Sequence, residues 1–314
     1  MHSLEEELRE LRSTGTMDEG AAAHAIALER RTLFSVFEEL RATLYAAVAL
    51  VIAGVGILVK EHLDRIGPLT LTFALAIAGA ACYVPAIRAK SRGDDQTAIA
   101  EYLLLLGALI VSADVGYAES QFHLLGANWS RHLLVLAAFH GVTAYALQSR
   151  LVLSVALTTL AGWFGIERGS GNLLPWDLAT PKLGLRALVC SAVILAWRAI
   201  DERSNAARFR EVFEHFAANL AFWGAVGWCS NAHMRVVGVV TLLLLAAIAV
   251  RKALRSGAES FALYGVGYTA LGLSLVVAQV MDLTLLGATL VLVIVLTAAV
   301  VLRRLHDVLK ESRT

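Results

Sequence analysis

The sequence predicts an all-α integral membrane protein, a helical bundle of about ten transmembrane helices that follows a short cytosolic helical hairpin. Of the 314 residues, 58% are hydrophobic and only 17% are charged, whereas a soluble protein carries about 25% charged residues. Apolar runs recur along the chain after residue 41. Helices suit such runs, because lipid offers no water to satisfy backbone hydrogen-bonding groups.

The first 41 residues are predicted to be a cytosolic helical region. One apolar face is formed by Leu4, Leu8 and Leu11, whose spacing is helical. Gly15 interrupts this helix, and the pair Thr16 and Glu19 is typical of the start of a second one. The resulting hairpin either packs on its own bundle or docks a partner or a second subunit. A cleavable signal peptide is not expected, because the region is polar and amphipathic.

Ten apolar segments follow in a predicted transmembrane domain of residues 42–303, before a cytosolic C-terminal tail of residues 304–314. The segments are 42–60, 66–87, 98–117, 131–147, 151–166, 183–200, 215–231, 234–251, 260–281 and 283–303. Crossing about 30 Å of hydrocarbon takes about 20 helical residues. The fourth, fifth and seventh segments are shorter than that, so we expect flanking residues to extend their helices.

The basic residues support ten crossings. With a cytoplasmic N-terminus, 20 of the 27 Lys and Arg residues fall on the cytoplasmic side and seven on the other side. This asymmetry follows the positive-inside rule. Adding or removing one helix would reverse every later connection and abolish the asymmetry. Both termini are therefore predicted to be cytoplasmic.

Three stretches resemble a known family. They are LRSTGTMDEGAAAHA in the N-terminal hairpin, LRATLYAAVALVIAGVGILVKEHLDRIGP at residues 40–68, and the region from Leu104 through LGANWSRHLL to Gly165. Together they are similar to a bacterial multi-pass membrane family, catalogued as domain of unknown function 2157, over roughly residues 4–166. The resemblance implies a multi-pass protein of a bacterial cytoplasmic (inner) membrane. The family has no established activity, so the resemblance implies no mechanism.

Polar side chains inside the predicted membrane helices form a candidate polar pathway, which consists of Glu101, Asp114, His140, Thr143 and Arg186. Ionisable groups in hydrocarbon are costly and often mark ion or proton paths. Glu101 and Asp114 can instead each belong to a structural ion pair, or be carboxylates at the membrane edge. Asp114 can pair with Arg186. Since they are 13 residues apart, Glu101 and Asp114 lie on nearly opposite faces of one helix.

His140 is predicted to lie near the middle of its helix. An imidazole suits proton exchange near neutral pH, but burial favours its neutral form. The alternative interpretation is therefore a neutral histidine that is hydrogen-bonded to a neighbouring helix. Thr143, three residues later, shares its face and could help to line a cavity.

The connection YAESQFHLLGANWSR alternates polar and apolar residues. It is predicted to be either an interfacial lid or an outer mouth, with candidate residues Glu119, Gln121, His123, Asn128 and Trp129. A zinc site is not expected, because His123 and His132 lack a third well-placed ligand. Residues 201–216, DERSNAARFREVFEHF, are predicted to form an amphipathic cytoplasmic cap.

Two functions are compatible with these residues. The preferred one is a small-solute or ion permease, and the alternative is a non-transporting membrane scaffold or assembly factor that acts through its N-terminal hairpin. An enzyme is not favoured, because no convergent set of catalytic residues and no nucleotide, phosphate or protease motif occurs. No cofactor or metal is expected. With a net charge of +1, the expected partners are the lipid bilayer and a small solute or ion, not nucleic acid.

Overall fold

The computed structural model describes residues 67–91, 98–126, 131–166, 181–202, 207–281 and 284–311, together with Leu50, Gly54 and Ile57. The chain divides into two units, Met1–Gly67 with Arg313–Thr314, and Pro68–Ser312. The predicted hairpin of residues 1–41 and most of the first apolar segment, 42–60, lie outside the described residues.

Nine α-helices and no strand lie within the described residues. Their bounds are α1 Pro68–Ser91, α2 Ala98–Phe122, α3 Arg131–Leu147, α4 Arg150–Ile166, α5 Pro181–Asp201, α6 Arg210–Cys229, α7 Arg235–Ser256, α8 Glu259–Val280 and α9 Leu285–Glu311. Each helix coincides with one of the predicted apolar segments, from the second to the tenth. The all-helical prediction is confirmed for this part of the chain.

Proline and glycine mark several helix boundaries. Pro68 and Pro181 are the first residues of α1 and α5, where the missing proline N–H costs no helical hydrogen bond. Gly257 caps the C-terminus of α7, since its φ of 67° is left-handed and its N–H donates to the Ala253 carbonyl at 2.8 Å. Glycine tolerates this conformation because it has no Cβ.

The segment 201–216, predicted to be an amphipathic cytoplasmic cap, contains the end of α5 and the start of α6. Helix α5 runs to Asp201, a single 3-10 turn spans Ala207–Phe209, and α6 begins at Arg210. The helix begins this early because Phe209 and Phe213 are buried in the bundle core, which stabilises helical backbone upstream of the apolar run. This extends the short seventh segment in the way expected from its length.

Helices α4 and α6 lie inside the bundle. Helix α4 contacts α2, α3, α5 and α6, while α6 contacts α4, α5, α7 and α8. One hydrophobic cluster joins α1 to α6, and a second joins α6 to α9. The first half of α6 enters the former through Phe213, and the second half enters the latter through Phe222. Helix α6 therefore connects the two halves of the core.

Helices α5 and α6 cross with their backbones nearly in contact. A Cβ atom added to Gly224 would lie 2.8 Å from the Gly184 carbonyl oxygen, and one added to Gly184 would lie 2.9 Å from the Gly224 carbonyl oxygen. Small residues permit this close approach between membrane helices. The crossing brings the first turn of α5 and the last turns of α6 together.

The outer surface of the bundle is apolar. Val142, Val236 and Leu285 are 70%, 76% and 88% exposed, and many other large hydrophobic side chains are exposed to a lesser degree. A water-soluble monomer rarely shows apolar surface on this scale, whereas lipid accommodates it. Within the described residues, the six helices α1, α2, α5, α7, α8 and α9 are long and apolar enough to cross a membrane.

The other three helices fall short of that criterion. Helices α3 and α4 have 17 residues each, and α6 has 20 residues but carries Glu214, His215 and Asn219. Length and composition therefore support six candidate spans among the described residues, and the number of ten stays a prediction.

Candidate functional site

The central polar contact of the bundle joins α2 to α3. His140 is fully buried, and its Nε2 lies 2.9 Å from the Ser112 Oγ atom. The Ser112 hydroxyl donates to the Ala108 carbonyl oxygen at 2.8 Å, so its oxygen accepts the hydrogen bond from His140 Nε2–H. This geometry places a proton on Nε2, and burial of the ring favours the neutral form, in which Nδ1 is unprotonated. This Nδ1 is buried and has no hydrogen-bond partner among the described residues.

Asp114 lies on a different face of α2. Gly107 packs against Cys82 and Tyr83 of α1. Asp114 lies seven residues, or about two helical turns, after Gly107, so it shares the face that is turned towards α1. Ser112 and Asp114 are two residues apart, so their side chains point about 200° apart around the helix. Asp114 Oδ1 is buried without a hydrogen-bond partner in the described part of the chain. The structure therefore separates Asp114 from the Ser112–His140 pair.

The remaining candidate pathway residues are not brought to His140. Glu101 is half-buried in the first turn of α2, about 20 Å along the helix from Asp114. The Thr143 hydroxyl donates to the Phe139 carbonyl of its own helix at 2.8 Å. Arg186 is half-buried near the start of α5, and within the described residues no ion pair joins it to Asp114.

At the predicted outer mouth, Glu119 turns inward and holds the connection that follows α2. Its side chain is buried, and both carboxylate oxygens accept the Leu125 N–H at 3.1 Å. The turn also uses left-handed backbone at His123, φ 48°, and Gly126, φ 52°. Gln121 and His123 are exposed. The other two candidates, Asn128 and Trp129, lie outside the described residues.

A second polar cluster, the Glu214 cluster, was not predicted from the sequence. It joins the end of α5 and the start of α6 to the end of α7. The Glu214 carboxylate is paired with Arg198 at 2.8 Å, with Arg210 at 3.1 Å, and with Lys252. Arg198 also binds Glu202 at 2.6 Å.

Electrostatics keep Glu214 ionised. Burial alone raises the pKa of a carboxyl group, but hydrogen bonds from Lys252 and Arg210, with the charges of Lys252 and Arg198, outweigh it. The pKa of Glu214 is therefore held below its ordinary value. Arg210 and Glu214 are four residues apart, a spacing that could have indicated half of this cluster. No local signal indicated Lys252, or Ser112 as the partner of His140.

The chemistry available at these sites is proton and hydrogen-bond exchange. The described residues hold no group of three or more His, Cys, Asp or Glu side chains placed to bind a metal ion. The unprotonated Nδ1 of His140 can accept a hydrogen bond or a proton. The Glu214 carboxylate, in contrast, already forms ion pairs with three basic side chains.

Comparison with known proteins identifies a family for part of the chain. Residues 9–153 match the family model described as "Predicted membrane protein (DUF2157)". No curated protein and no solved structure matches the chain. The matched region contains the Ser112–His140 pair, whereas the Glu214 cluster lies beyond it. The resemblance expected from the sequence is confirmed: residues 9–153 are similar to this family of predicted membrane proteins.

Proposed function

We propose that the protein is a small-solute or ion permease of a bacterial cytoplasmic (inner) membrane, with ten transmembrane helices, both termini cytoplasmic, and a pathway past His140. The distribution of basic residues supports this topology. The shorter helices α3 and α4 have 17 residues each, so each is about 26 Å long. This approaches the thickness of the hydrocarbon core.

The observation that carries the proposal is the buried Nδ1 atom of His140. More than nine in ten buried polar groups have a hydrogen-bond partner in protein or ordered water. His140 lies halfway along α3, yet this nitrogen has no partner among the described residues. A water or a passing solute at Nδ1 would satisfy it. Polar side chains at such a depth commonly line the route of an ion or proton.

One observation favours the alternative, a scaffold or assembly factor that acts through residues 1–41. Asp114 and the Ser112–His140 pair occupy separate faces of α2, so the described polar groups form no continuous row across the bundle. A scaffold needs no such row. Its acting part, the N-terminal hairpin, lies outside the described residues.

Water access at His140 separates the two functions. In a background with Cys82, Cys190 and Cys229 replaced, single cysteines are placed at Ser112 or His140 and treated with a membrane-impermeant thiol reagent. Ala108→Cys is the buried control, because Ala108 is one turn from Ser112 and fully buried. His123→Cys is the exposed control. The permease predicts labelling at 112, 140 and 123 and protection at 108.

Flux is then measured in proteoliposomes with H⁺, Na⁺ and K⁺ as the probes. We expect His140→Leu to abolish a flux that Val142→Ala, on the lipid-facing side of the same helix, leaves unchanged. If cysteines at 112 and 140 stay unreactive while the cysteine at 123 reacts, water does not reach the Ser112–His140 contact. That result would overturn the permease and direct the search to a partner of residues 1–41.

A further inference from the structure

A groove runs between α7, α8 and α9, outside the region that matches the family. It has a volume of about 350 Å³ and is lined by twelve residues. This volume is within the range of ligand-binding pockets. Helix α8 forms its floor, with α7 and α9 as its walls. Val293 and Val301 of α9 are 51% and 39% exposed, so the groove opens at the outer surface of the bundle.

Among the described residues that line it, the groove presents no free polar group. Its two hydroxyl groups are used within their own helices, since Thr269 donates to the Gly265 carbonyl at 2.6 Å and Thr297 donates to the Val293 carbonyl at 2.7 Å. Every other lining side chain is apolar. A hydrocarbon chain can therefore occupy this space without leaving a buried polar group unsatisfied.

Small residues create the groove. A Cβ atom added to Gly265 would lie 3.2 Å from the Ala246 carbonyl oxygen, so α7 and α8 pack closely at the floor. On α9, Ala298 leaves space beside Thr297 and Val301.

Basic residues lie at one end of the groove. Arg251 follows the lining residue Val250, and Arg304 lies three residues, nearly one turn, beyond the lining residue Val301. Both arginines are exposed. Neither forms an ion pair within the part of the chain that the structure describes, in contrast to Lys252, which binds Glu214.

Two acidic residues lie near this end. Glu259, at the start of α8, is 3.2 Å from His306 Nδ1, and the exposed Asp307 lies three residues beyond Arg304. Arg251 and Arg304 outnumber Asp307, so the end of the groove offers net positive charge to a ligand, while the rest of the groove offers only hydrocarbon. An amphiphile with one anionic group and a long apolar chain matches both parts.

We propose that this groove binds an acyl chain of an anionic phospholipid, whose phosphate is contacted by Arg304 and Arg251. Basic residues between membrane helices recognise anionic headgroups through their charge, and the groove supplies a fixed position for the chain. The site is independent of the proposed permease, because it uses none of the residues around His140.

The proposal is tested by native mass spectrometry of the full-length protein with phosphatidylglycerol or phosphatidylcholine as the probe lipid. We expect the protein to retain phosphatidylglycerol preferentially, and Arg304→Gln to reduce this retention about fivefold. Arg303→Gln is the matched control, because Arg303 is also exposed but points about 100° away from Arg304 around α9. It should leave retention unchanged.

A second pair of variants tests the groove itself. Ala298→Leu fills the groove, whereas Ala299→Leu adds the same volume at a neighbouring exposed position that does not line it. We expect only Ala298→Leu to reduce retention. Equal retention of the two lipids, or equal losses in Arg304→Gln and Arg303→Gln, would overturn the proposal. Both arginines are exposed, so these variants stay informative even if Ala298→Leu fails to fold.

Discussion

The Ser112–His140 pair and the Glu214 cluster bury ionisable side chains in opposite ways. At the middle of α3, His140 is neutral and meets a neutral hydroxyl. At the ends of α5, α6 and α7, Glu214 is charged and meets Arg198, Arg210 and Lys252. The cost of burying a charge in a bilayer is greatest at the centre and falls towards the surface.

The cations of the Glu214 cluster explain why charge is tolerated there. Arginine and lysine have long apolar stems, so their charged groups can reach a buried carboxylate and still contact water. The side chains of Arg198, Arg210 and Lys252 keep 20%, 57% and 29% of their exposure. Depth therefore decides whether this fold pairs charges or keeps a group neutral.

Removing Glu214 should have the largest effect on stability. In Glu214→Ala, the partly buried Arg198 and Lys252 lose their shared carboxylate, and loss of one partner of a buried pair costs about 3 kcal/mol. The free energy of unfolding is measured in mixed detergent micelles. Glu211→Ala is the control, because Glu211 is 71% exposed and its ion pair within the described residues is with the exposed Arg150. Glu211→Ala should lower the free energy of unfolding by less than about 1 kcal/mol. Equal losses in Glu214→Ala and Glu211→Ala would contradict the difference between a buried and an exposed carboxylate.

Separating α5 from α6 should have the next largest effect. In Gly224→Ala, the new Cβ would meet the Gly184 carbonyl oxygen. We therefore expect the free energy of unfolding to fall by about 2 kcal/mol. Gly224 lies ten residues, about 15 Å, along α6 from Glu214, so this loss is expected to be independent of the Glu214 cluster. The double variant with Glu214→Ala should therefore be nearly additive in the same unfolding measurement. Gly116→Ala, with open space at its Cβ position, should be nearly neutral.

Lowering the pH should remove the stabilisation by Glu214 gradually. The pKa of Glu214 is lower in the folded protein than in the unfolded chain, where it is about 4.3. The unfolded chain therefore binds more protons between these values, and stability rises with pH there. The stability difference between wild type and Glu214→Gln should stay constant from about pH 7 to about pH 5 and shrink as the pH falls through the folded-state pKa. A difference that grows on acidification would contradict this sign.

The Ser112–His140 contact should give the smallest effect. Interhelical hydrogen bonds between membrane helices contribute about 0.6 kcal/mol on average. A double-mutant cycle with Ser112→Ala and His140→Leu measures this coupling directly. A coupling as large as the loss in Glu214→Ala would remove the contrast between the two sites.

The positions of the described helices could be predicted from the sequence because membrane helices have a strong hydrophobic signal over many residues. The start of α6 could not, since burial of Phe209 and Phe213 depends on other helices. The Glu214 cluster was missed for a similar reason: Lys252 lies on α7, and no local spacing connects it to α6. His140 was recognised as a polar group deep in a helix, but its partner Ser112 has no distinguishing local pattern.

Helix α6 has a consequence for how the chain is built during synthesis. It is the helix that joins the two halves of the core, yet it is not apolar enough by itself to count among the six candidate spans. A segment of this composition gains little by leaving the translocon for lipid alone. We therefore expect α6 to enter the bilayer together with α5. Its integration is then completed only when the ribosome has delivered α7, and with it the lysine that pairs with Glu214.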